Sequence, residues 1–304
     1  MVKKFHSIPC MVSFFGVLAF ASTVFAQTTV TGFAPNPTPN PPTPGVWFES
    51  DVRIGGTASI ADLTGLGGDL ETNQPLPNGA AKLTTDSTNP AKAEVAVANS
   101  FGTASSIIPT IGIGYSWHKA SNAGQNLNAA PSIKLTFFNP VCDETIGGDC
   151  FATLVYEPYQ NGFGNNPAQD VWMRSDLNQI VGGWWTTGGF GAPNGAGGCG
   201  APVCPTLADW LTTLTPDFGQ ADLVAVSVGV GSFNQGQIGY FDKVDITGTN
   251  ADASYDFEPA PQFKNLGQCI STLIADNCAG LKGKARATCN HEQQMTCFDL
   301  FGVK

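Results

Sequence analysis

Thr110-Ile111-Gly112-Ile113-Gly114-Tyr115-Ser116-Trp117-His118 sets a large apolar side chain at every second position, with small or polar residues between. Period-two spacing puts Ile111, Ile113, Tyr115 and Trp117 on one face of a strand. The same signature recurs along the chain, bounded by Gly, Pro or Asn. Ser132–Phe138 faces Ile133, Leu135 and Phe137 one way, and Ala93–Ala98 alternates charged or small residues with Val95 and Val97. Asp222–Gly231 carries Val224, Val226, Val228 and Val230, and Ile238–Thr247 carries Ile238, Tyr240, Asp242, Val244 and Ile246 on one side. Segments at 46–54, 152–157, 169–177 and 254–258 complete a set of roughly nine to eleven short strands without βαβ alternation. That pattern predicts an all-β chain, a β-sandwich or jelly roll.

Composition agrees. Of 304 residues, 36 are Gly and 21 Pro, and only 12% are charged, which favours short strands and turns over long helices. One short helix is expected at about 205–214. Thr206-Leu207-Ala208-Asp209 has the form of a capping box after Pro205, with Leu207, Trp210, Leu211 and Leu214 on one stripe.

Both flanks differ from this core. Residues 1–26 join Lys3 and Lys4 to an apolar run ending Val24-Phe25-Ala26, the layout of a cleaved signal peptide too short for a membrane span. The mature chain is therefore expected to be secreted, extracellular or periplasmic, with no transmembrane segment. Residues 27–45 hold Pro35, Pro37, Pro39, Pro41, Pro42 and Pro44 and read as a polyproline-like linker. The domain proper is expected over 46–259. The tail, 260–304, has five of the 14 Lys and Arg residues and helical spacing at Leu266, Ile270, Leu273 and Ile274, so it reads as a helical hairpin.

Removing Cys10 with the leader leaves eight cysteines: Cys142, Cys150, Cys199, Cys204, Cys269, Cys278, Cys289 and Cys297. In an oxidising compartment an even set implies disulfides. Zinc is disfavoured because the tail lacks a close cysteine pair. Nested bridges, Cys278–Cys289 inside Cys269–Cys297, would tie the hairpin at two levels, although other connectivities remain open.

The formal charge of −10 becomes −12 without Lys3 and Lys4, which repels phosphate backbones and argues against nucleic acid as a partner. No G-x-S-x-G elbow or phosphate loop occurs.

Several motifs carry a resemblance over roughly 46–259: Tyr115-Ser116-Trp117-His118-Lys119, Ala130-Pro131-Ser132-Ile133-Lys134-Leu135, Leu154-Val155-Tyr156-Glu157-Pro158, Trp184-Trp185, Gly239-Tyr240-Phe241-Asp242-Lys243-Val244 and Tyr255-Asp256-Phe257-Glu258. They resemble exported bacterial proteins of concanavalin A-like or jelly-roll type. Phe48-Glu49 and Asp242-Lys243-Val244 are also similar to the strand ends of jelly-roll carbohydrate-binding modules. That resemblance implies a structural calcium between Glu49 and Asp242; Lys243 stands where a second Asp is common. No other cofactor is expected.

Sugar rings present apolar faces to flat aromatics, and Tyr156, Tyr159, Trp172, Trp184 and Trp185 lie within thirty residues among many Asn, Gln and Asp. They are the candidate ligand-binding set, weighed against the commoner fate of aromatics, the core. Adjacent Trp184 and Trp185 cannot both point inward on a strand. The leading expectation is a secreted, non-catalytic binding or surface-interaction protein for an extracellular polysaccharide or cell-surface glycan. An extracellular glycosidase or lyase using Glu157 with Asp170 or Asp176 is one alternative. A structural matrix component is the other.

Overall fold

Among the described residues, thirteen strands form two facing sheets. The computed structural model describes residues 27–300 apart from 148, 164–165, 196–197, 199–202, 262 and 264, so the expected signal peptide lies outside the described residues. In chain order the strands are β1 (Gln27–Val30), β2 (Trp47–Glu49), β3 (Gly56–Asp62), β4 (Gly79–Thr85), β5 (Ala93–Ala98), β6 (Gly112–Lys119), β7 (Ser132–Phe138), β8 (Phe151–Tyr156), β9 (Trp172–Asn178), β10 (Trp185–Thr186), β11 (Asp222–Val230), β12 (Ile238–Thr247) and β13 (Ala253–Phe257).

The first sheet is built on β12. Along one edge β12 pairs with β6, which continues to β9. Along the other it pairs first with β4 and then with β13. A bulge between Asp242 and Asp245, with Lys243 at a φ of 49°, lies where that partner changes. The second sheet runs β10-β8-β7-β11-β5-β2 and is antiparallel throughout. Inward residues of both sheets make one core, in which Trp47, Trp117, Trp184, Tyr115, Phe137 and Phe241 are fully buried. Each such side chain contributes about 1.5–3 kcal/mol by leaving water.

The expected linker is corrected by the structure. Residues 27–30 form β1, parallel to β13, and Val30 is buried. Phe33 then sets its ring 6.3 Å from Phe257, and Ala34 donates its N–H to the Trp47 carbonyl at 2.9 Å. The reason is β13: its outer edge carries backbone groups that need partners, and a short strand supplies them whatever its side chains. Only the Pro-rich part, 35–45, connects one sheet to the other.

The helix Leu207–Thr213 starts with the reciprocal Thr206–Asp209 capping box that its sequence predicts. In the tail, helices Leu266–Asn277 and Gly283–Leu300 are joined by Cys269–Cys297 and Cys278–Cys289. Cys142 is bonded to Cys150, and Cys204 is disulfide-bonded, while Cys199 lies outside the described residues. Among the described residues, no helix is long and apolar enough to cross a membrane.

Candidate functional site

The face that the second sheet turns away from the core is polar at one end, and a cleft of about 670 Å³ opens there. Strand alternation builds its floor. Ile133 and Leu135 are buried, so Lys134 between them points out; Val95 turns Glu94 outward in the same way. Lys134 lies opposite Ser227 and Glu94 opposite Gly229, so β11 separates the two charges. The missing side chain at Gly229 lets Glu94 cross it: a Cβ there would stand 3.1 Å from the Glu94 side chain.

Glu94 consequently accepts from Ser227 Oγ at 3.1 Å, pairs with Lys92 at 3.0 Å and bonds the Lys134 ammonium. Lys92 also reaches Asp51 at 2.7 Å, and Asp51 pairs with Arg53 at 2.7 Å. The result is a relay of alternating sign, Arg53–Asp51–Lys92–Glu94–Lys134. Burial pushes the Glu94 carboxyl up, but Lys134 and Lys92 outweigh it and hold it at about 2. Burial wins at Lys134, whose pKa falls below the usual lysine value despite Glu94.

Glu157, Tyr159 and Trp185 form one wall. Trp185 donates its indole N–H to Glu157 Oε2 at 3.0 Å, and Gln160 donates to the same oxygen at 2.7 Å. Burial raises the Glu157 pKa in spite of these bonds. Phe233 also lines the cleft, at a φ of 69° with 66% of its surface exposed. An exposed aromatic on left-handed backbone is uncommon and clusters at ligand sites. Asn126 Nδ2 holds the Phe233 carbonyl at 3.1 Å.

The five aromatic candidates separate. Trp185 and Tyr159 line the cleft. Trp184 is fully buried, its ring 5.7 Å from Tyr156. Tyr156 is also in the core, its hydroxyl 3.2 Å from Ser175. Trp172 belongs to the first sheet, where its indole donates to the Leu70 carbonyl at 3.2 Å and its ring lies 5.4 Å from His118. Proximity in sequence does not survive alternation, because neighbours on a strand face opposite ways.

Neither aspartate expected beside Glu157 is near it. Asp170 caps the Ser121 N–H at 2.8 Å, and Asp176 pairs with Arg174 at 2.8 Å on β9 of the first sheet. The carboxylate that shares the cleft with Glu157 is Glu94. Sequence reasoning passed over Glu94, Lys92, Lys134 and Phe233. Glu94 and Lys134 did leave a signal, since each is a lone charge on the outward side of an otherwise apolar or small-residue strand in a chain with 12% charged residues.

The calcium pair is also divided. Glu49 lies on β2, at the edge of the second sheet, and Asp242 on β12 of the first. Asp242 instead approaches Asp256 and Glu258. Its Oδ1 accepts from the Phe257 N–H at 3.1 Å, while its buried Oδ2 has no partner. Among the described residues, no group of three or more His, Cys, Asp or Glu is arranged to hold a metal. Glu49 and Asp242 are thus held on different sheets, and the carboxylates that Asp242 meets are Asp256 and Glu258.

Burial first, with repulsion from Asp256, pushes the Asp242 carboxyl up to about 7. A raised folded-state pKa means that stability is fully present below the unfolded value near 3.8 and is lost as pH rises through 7. The loss amounts to about 4 kcal/mol for a shift of this size. Thermal unfolding is expected to show Tm falling from pH 5 to pH 8, with a much shallower fall in Asp242→Asn. Parallel curves for the two proteins would contradict this assignment.

No protein-family model matches the chain, and no curated protein matches it. Three solved structures similar to it have TM-scores near 0.3. The family 11 carbohydrate-binding module from Clostridium thermocellum, in complex with a β-1,3-1,4-mixed-linked tetrasaccharide, is 8% identical over 70% of this chain and 89% of its own, with a TM-score of 0.34. TmCBM61 in complex with β-1,4-galactotriose is 10% identical over 67% of this chain and 88% of its own, at 0.29. An exo-β-agarase is 11% identical over 81% of this chain and 27% of its own, at 0.32.

Proposed function

We propose that the chain is a secreted glycan-binding protein and that the cleft over the second sheet is its binding site. The observation that carries this reading is the composition of the walls. Trp185, Tyr159 and Phe233 offer flat apolar faces, while the amide side chains of Asn126, Asn128, Asn194 and Asn234 line the same cleft. Aromatic faces match the CH surfaces of sugar rings, and amides match their hydroxyls. Glu157 holds the Trp185 indole in place, which lowers the ordering cost of binding. The disulfides fit a protein that matures outside the cytosol.

The test is retention on a panel of polysaccharides, followed by calorimetry with the matching oligosaccharide. Trp185→Ala is expected to weaken binding at least about tenfold without a large loss of stability. If no polysaccharide is retained, or if the variant binds as well as the parent, the proposal fails.

One observation favours catalysis in the same cleft: Glu94 and Glu157 share it and their pKa values are pushed in opposite directions, the pattern of a base and an acid. Release of reducing ends, abolished by Glu157→Gln, would establish that activity. The ion pairs that already occupy Glu94 favour binding without turnover.

A further inference from the structure

The charge relay that runs into the cleft has a surplus, and its inner end, on the cleft floor, points to a ligand class. Arg53, Lys92 and Lys134 alternate with only Asp51 and Glu94, so three cations share two anions. The two ends of the relay are not equivalent. The Arg53 side chain is 48% exposed, and water screens it; the Lys134 side chain is 12% exposed and lies on the cleft floor. Among the described residues, Glu94 is the only carboxylate in contact with Lys134, and Lys92 shares it. An ammonium has three donors, and Glu94 takes one of them.

Glu157 stands on the other side of Lys134 and interacts with it at longer range. That carboxylate already accepts from Trp185 and Gln160. Its pKa is raised by burial. The lowered Lys134 pKa is a second sign of an under-compensated ammonium. Such a site gains from an added negative charge that arrives with its own hydrogen-bond acceptors.

We infer that the cleft prefers a saccharide bearing a carboxylate, a uronic acid unit, with that carboxylate seated on Lys134 and its sugar ring against the aromatic wall. This rests on the glycan-binding reading and narrows it to acidic polysaccharides. In a chain whose formal charge is −10, the net repulsion of polyanions makes a local cationic seat necessary for such a ligand.

The experiment compares oligogalacturonate and oligoglucuronate with their carboxyl-reduced counterparts by calorimetry on the full mature chain, at low and high salt. The acidic oligomers are expected to bind about tenfold tighter than the reduced ones, with the margin shrinking at high salt. Lys134→Met should erase the preference and Lys134→Arg should keep most of it. Equal affinity for acidic and reduced oligomers would overturn the uronate assignment and leave glycan binding standing. Binding of neither type, nor of any neutral glycan, would overturn both. Uptake of polyglutamate as strong as that of the uronates, indifferent to Trp185→Ala, would show plain charge attraction and also overturn it.

Discussion

Trp184→Ala is expected to cost about 3–5 kcal/mol of stability, whereas Trp185→Ala next to it should cost no more than about 1.5 kcal/mol. The Trp184 indole is enclosed against Tyr156, and its backbone carbonyl accepts from Trp210 Nε1 at 2.9 Å, tying the helix Leu207–Thr213 to the sandwich. Truncation would leave a cavity that the strands around it cannot close. Trp185 is half-buried on a two-residue edge strand, and its loss removes one hydrogen bond to Glu157, which keeps Gln160. Ligand binding should show the reverse ranking once the folded fraction is accounted for. Denaturant midpoints with unchanged slope measure the stability term. Similar midpoints for the two variants would mean that the assignment of core and cleft is mistaken.

Glu94→Ala is the second large effect, expected at about 3–5 kcal/mol. Glu94 compensates Lys92 and Lys134 together, and deleting it leaves Lys134 without a carboxylate contact in a nearly closed position. A buried ion pair is weak evidence of net stabilisation, but removing one partner is costly because the other stays desolvated. Combining Glu94→Ala with Lys134→Met should therefore recover part of the loss, a coupling that a double-mutant cycle reads directly. The pH response supplies an independent check. The Glu94 carboxyl is held at about 2 against 4.5 when unfolded, so its contribution is present above 4.5 and disappears as pH falls toward 2. Asp242 acts in the opposite direction, and the two together place maximum stability in the mildly acidic range. Additive single variants, or a double variant weaker than Glu94→Ala, would contradict the relay.

Much of the fold was legible because its signal is local. The bounds read for Ser132–Phe138 and Ile238–Thr247 match β7 and β12 to the residue, and the Thr206–Asp209 cap matches its helix start. The single face read for β12 does not hold. The bulge at Asp242–Asp245 puts Phe241 in the main core with Val244 and Ile246 and leaves Tyr240 on the other side with Leu63 and Ala80. The strands that escaped notice are informative. In β4, Gly79–Thr85, both faces are largely buried, so its small residues show no polar side to alternate with. β1 is held by backbone pairing to β13 and owes almost nothing to side-chain pattern. The β10 pair is too short to show a period.

The amino-acid order by itself determined that this chain forms short strands with one apolar face, a capped helix from Leu207 and a cysteine-rich helical tail. Those properties depend on residues within a few positions of one another, and periodicity records them. Only the tertiary structure decided which outward residues meet. Glu94 and Lys134 are forty positions apart and are joined across Gly229 of a third strand, while Trp184 and Trp185 are adjacent and end in different environments. Strand order and the packing of the two sheets set those distances, and neither is written in any local window.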